Sequence, residues 1–123
     1  MTKVDIEKFI DNIWLPERIS GNEEYLLIVP KLKPIVMMDR EPLMELLRDW
    51  ISARPIRETN GVDYGKGKQE WQLFLALEVT EKYRLVELCP DIEHLVKDIR
   101  RGKTYMPYYA DMVERYLTEM PET

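Results

Sequence analysis

The sequence predicts a mostly α fold, a compact bundle of about five helices with a small extended or β-hairpin element near residues 24–38. Three observations carry that expectation. Apolar residues recur at three- and four-residue spacing in separate segments, the pattern of helices that bury one face. Prolines at 16, 30, 34, 42, 55, 90, 107 and 121 punctuate the chain between those segments, where a helix can start or stop. The composition, 45% apolar and 33% charged, is that of an ordered globular chain and lies far from the low-hydrophobicity regime of disorder. No repeat, low-complexity tract or linker divides the 123 residues, so one globular domain over 1–123 is expected, with α+β as the alternative class.

The first helix is read from "KVDIEKFIDNIW", residues 3–14, where Val4, Ile6, Phe9, Ile10, Ile13 and Trp14 form the apolar face between acids. The next stretch, "SGNEEYLLIVPKLKPIVMMD", carries two signals. Ser20 and Glu23 have the spacing of a capping box, which favours a short helix ended by Pro30. The apolar runs Leu26–Val29 and Ile35–Met38 flank a proline-rich turn, which favours two short strands. Extended structure is the expectation, covered by a neighbouring element because a lone hairpin is marginal.

Asp39 has the character of an N-cap, Glu41 suits the positive end of a helix dipole, and Pro42 is tolerated in a first turn. Leu43, Leu46, Leu47, Trp50 and Ile51 then keep helical spacing until Pro55. "RETNGVDYGKGK" follows, with three of the five glycines, Gly61, Gly65 and Gly67, and is expected to be a loop. Between Gln69 and Cys89 there is no Gly, Pro, Asn or Asp, so one long helix is predicted even though Trp71, Leu73, Leu75, Leu77 and Val79 alternate as in a strand. Its first half is apolar all round, which suits a central helix. "DIEHLVKDIRRG" has acids at its start, Lys97, Arg100 and Arg101 at its end, and Gly102 as a stop. Pro107 then opens a last helix running to about Glu119.

Charge narrows the functional classes. The net charge of −5, from 18 Lys and Arg against 23 Asp and Glu, opposes non-specific attraction to nucleic acid or anionic lipid. The lone Cys89 excludes an internal disulfide, "MTKVDIEKFI" lacks a signal-peptide apolar stretch, no apolar run approaches a membrane span, and no Asn-x-Ser/Thr acceptor occurs. The expected location is the cytoplasm, with no membrane association.

Catalytic and cofactor motifs are weak. In "NGVDYGKGKQ" five residues separate Gly61 from the Gly67-Lys68 pair where a P-loop has four, and Gln69 replaces the magnesium-binding hydroxyl. Capture of an anion by Lys66 and Lys68 ahead of a helix N-terminus is what remains. Cys89 and His94 are alone of their kinds, so they cannot complete a structural zinc site, and the i, i+3 pair Asp91/His94 lacks the second histidine of a di-iron bundle. Carboxylate pairs such as Glu23/Glu24 and Asp111/Glu114 are expected among 23 acids by chance. No cofactor or metal is assigned.

Two surface features remain. Lys97, Arg100, Arg101 and Lys103 form the one concentrated basic patch and, beside Tyr105, could serve nucleic acid, although cations in a last helical turn compensate the dipole without any ligand. In "GKTYMPYYADMVERYL" the stripe Tyr109, Val113, Tyr116, Leu117 and Met120 is flanked by Tyr108 and Met112. Such a stripe packs on the domain's own core or, being rich in tyrosine and methionine, against a partner. The sequence therefore favours a non-catalytic protein-protein interaction module, an accessory subunit, adaptor or regulator. Its expected partner-binding residues are Tyr105, Tyr108, Tyr109, Met112 and Tyr116, facing another protein or a second copy. The alternatives are an anionic-ligand binder or enzyme using the 60–68 loop, and nucleic-acid binding through 97–105.

Overall fold

A computed structural model of the chain describes residues 1–17, 25–54, 66–105 and 107–120. These residues form a mostly α fold: α1 (Lys3–Glu17), α2 (Tyr25–Ile28), α3 (Lys33–Met38), α4 (Arg40–Ser52), α5 (Lys66–Lys82), α6 (Cys89–Arg100) and α7 (Tyr109–Glu119), with 3₁₀ turns at Val29–Leu32 and Val86–Leu88. No helix among the described residues is long and apolar enough to cross a membrane.

Helix α5 is central. It packs on α2, α4 and α7, while α1 and α3 lie on α4, and α6 bridges α4 and α7. Leu73, Leu75, Ala76, Leu77 and Val79 are all buried, so residues on every side of α5 face protein, as its all-round apolar character predicts. That arrangement resolves the strand-like alternation, since a helix surrounded by others buries alternate and adjacent residues alike. Each of these leucines contributes roughly 2 kcal/mol through burial. Thr80, buried in the same helix, gives its hydroxyl proton to the Ala76 carbonyl at 2.7 Å and so leaves no donor stranded.

The extended element expected at 24–38 is absent among the described residues: 25–38 is helical, with α2, a 3₁₀ turn and α3 following without a strand. The two prolines explain the difference. Pro30 and Pro34 each occupy the first or second position of a new helical segment, where the missing N–H is no loss. Burial has helical period as well, with Ile28, Leu32 and Ile35 inside and Leu27, Lys31, Pro34 and Met38 outside. The Ser20/Glu23 capping box lies outside the described residues.

The single helix expected from 69 to 89 stops at Lys82. The Leu85 amide donates to the Thr80 carbonyl at 2.9 Å and the Arg84 amide to Glu81 at 3.3 Å, with Arg84 in the left-handed region at φ 53°. These are the two hydrogen bonds of a Schellman cap, closed by an arginine and locked by the fully buried Leu85. Pro90 then falls in the first turn of α6. That helix ends in the same cap: Lys103 donates to Asp98 at 3.0 Å, Gly102 donates to Ile99 at 3.0 Å, and φ at Gly102 is 74°.

Elsewhere the expected boundaries shift by a few residues. Asp39 precedes α4 but makes no side-chain cap; its Oδ1 accepts instead from the Met1 ammonium at 2.9 Å. Pro107 forms a turn with Ala110 at 3.1 Å, and α7 begins two residues after it. Three arginine-carboxylate pairs connect α4 and the residues just after it to the 86–100 region: Arg40 with Glu87 at 2.7 Å, Arg48 with Asp91 at 3.2 Å and Arg54 with Asp98 at 3.0 Å. Residue numbers rise together on both sides, so α4 and α6 run in the same direction.

Candidate functional site

Three of the five residues expected to meet a partner are inside. Tyr105, Tyr109 and Tyr116 are buried, at 1%, 6% and 5% exposure, as part of the core that also holds Val113. The rings form one aromatic cluster, with Tyr109 edge-on to Tyr105 at 5.5 Å, tilted against Phe74 at 5.9 Å and stacked under Tyr108 at 4.7 Å. Tyr116 completes its hydrogen bonding within the domain by donating to Glu78 Oε1 at 2.8 Å. Burial pushes the Tyr109 hydroxyl pKa well up, helped by Tyr108 and Glu70 beside it, and pushes Tyr105 up to about 12. These phenols stay protonated at any physiological pH. Only Tyr108 and Met112 of the expected set are exposed on the surface.

The other candidate chemistries are not brought together. Cys89 is half-buried, and burial, followed by Glu93 and Glu87, raises its thiol pKa, the opposite of what a nucleophile needs. His94 is an exposed side chain 3.8 Å from Asp98, and Asp98 is already held by Arg54. Asp91 is engaged by Arg48. No group of three potential metal-ligating side chains occurs among the described residues. Lys66 and Lys68 lie in the first turn of α5, while residues 60–65 of the glycine loop lie outside the described residues, as do Glu23 and Glu24.

In the basic patch, Arg100 is occupied. Its guanidinium donates to Glu114 at 2.8 and 3.2 Å and to Asp111 at 3.4 Å, which holds the Glu114 carboxyl below its ordinary pKa. Tyr105, the base-stacking partner expected there, is buried. Lys97, Arg101 and Lys103 remain exposed. A carboxylate neighbourhood the sequence did not announce joins α5 to α7, where burial first and Glu119 second raise the pKa of Glu81.

The largest departure from expectation is on α2 and α3. Met37 and Met38 are 74% and 82% exposed, and Leu26 and Leu27 are 43% and 56% exposed, on the outer side of the helical run whose inner side holds Ile28, Leu32 and Ile35. Exposed leucines singly are ordinary, but a pair of adjacent leucines and a pair of adjacent methionines left in water at the two ends of one short run are unusual. The signal was present in the sequence. Four consecutive apolar residues, Ile35–Met38, cannot all point inward from a helix, and assigning the run to a strand concealed that.

No family model matches the chain, and no curated protein or solved structure gives a significant match.

Proposed function

We propose that the chain is a non-catalytic protein-protein interaction module, an accessory subunit, adaptor or regulator of the cytoplasm, that docks through the outer face of α2 and α3. The observation that supports this function is the exposure of Met37 and Met38 beside Leu26 and Leu27. Flexible, polarisable methionine side chains repack against varied apolar surfaces, and leaving two of them in water on neighbouring positions is costly unless something covers them. Tyr108 and Met112 on and before α7 supply a second, smaller contact, resting on the buried tyrosine cluster.

The test is purification of the tagged protein from its native host, in parallel with a Met37→Ser/Met38→Ser variant, with bound proteins quantified by mass spectrometry. A stoichiometric protein retained by the wild type and reduced about tenfold or more in the variant is expected, an effect of about 1.4 kcal/mol or more. Both substitutions are at exposed positions, so the melting temperature should stay close to that of the wild type. A partner held equally by both proteins would move the docking role to Tyr108 and Met112. Recovery of the chain alone would count against a heterologous partner.

A further inference from the structure

We draw no further inference here: the strongest candidate, the exposed leucine and methionine pairs on the outer side of α2 and α3, already belongs to the docking role proposed above, and nothing in the structure shows what covers it.

Discussion

Replacing Arg84 by glycine should raise stability, and replacing Gly102 by alanine should lower it, because the two residues close the same cap with opposite backbone fitness. Both occupy the left-handed position after a helix, at φ 53° and 74°, and both caps have the amide of the following residue bonded back into the last turn, at 2.9 and 3.0 Å. A residue with a Cβ costs about 1–2 kcal/mol in that region, and glycine relieves it. The gain is reduced by the greater freedom glycine has in the unfolded chain, so Arg84→Gly should stabilise by about 0.5–1 kcal/mol. A Cβ at Gly102 would meet nothing within 4 Å, so Gly102→Ala adds no clash and should cost about 1 kcal/mol from the backbone alone. Urea unfolding followed by circular dichroism measures both free energies, and thermal unfolding should show melting shifts of a few degrees in opposite senses for a domain of this size. Shifts of the same sign, or a loss on Arg84→Gly, would refute the shared-cap argument.

The Tyr105 hydroxyl is buried and has no hydrogen-bond partner among the described residues, so Tyr105→Phe should leave stability unchanged or raise it by about 1 kcal/mol; a clear loss in urea unfolding would mean that the hydroxyl is satisfied in solution. Asp98 is held below its usual carboxylate pKa chiefly by the hydrogen bond from Arg54. A depressed folded pKa gives stability that is present above the unfolded value and lost as pH falls through the folded one. The advantage of the wild type over Asp98→Asn should therefore shrink from about pH 4 downward, and parallel stability curves across that window would show that the pair does not matter.

Much of the helical architecture was legible because it rests on local periodicity and on residues with one obvious use. Gly102 announces its cap since glycine is the default left-handed residue, whereas Arg84 performs the same turn without that signature, so a stretch free of Gly and Pro carries no mark of the break. The 25–38 region failed differently. Pro30 and Pro34 are helix openers as readily as hairpin markers, and only the packing of Ile28, Leu32 and Ile35 on the rest of the fold selects between the two. Whether a tyrosine is core or surface is likewise a tertiary outcome. Tyr108 and Tyr109 are neighbours in sequence and stack on each other, yet one is 60% exposed and the other 6%.

The pairs joining Arg40 to Glu87, Arg48 to Asp91 and Arg54 to Asp98 are unevenly spaced, by eight and six residues on one side and by four and seven on the other. Partly exposed ion pairs of this kind add little to stability. Uneven teeth nevertheless engage at one setting only: sliding α6 along α4 by a helical turn carries every carboxylate away from its arginine and aligns no complete replacement set. A load applied to α3, which runs into α4 through Asp39, therefore meets a toothed rack rather than a greased seam.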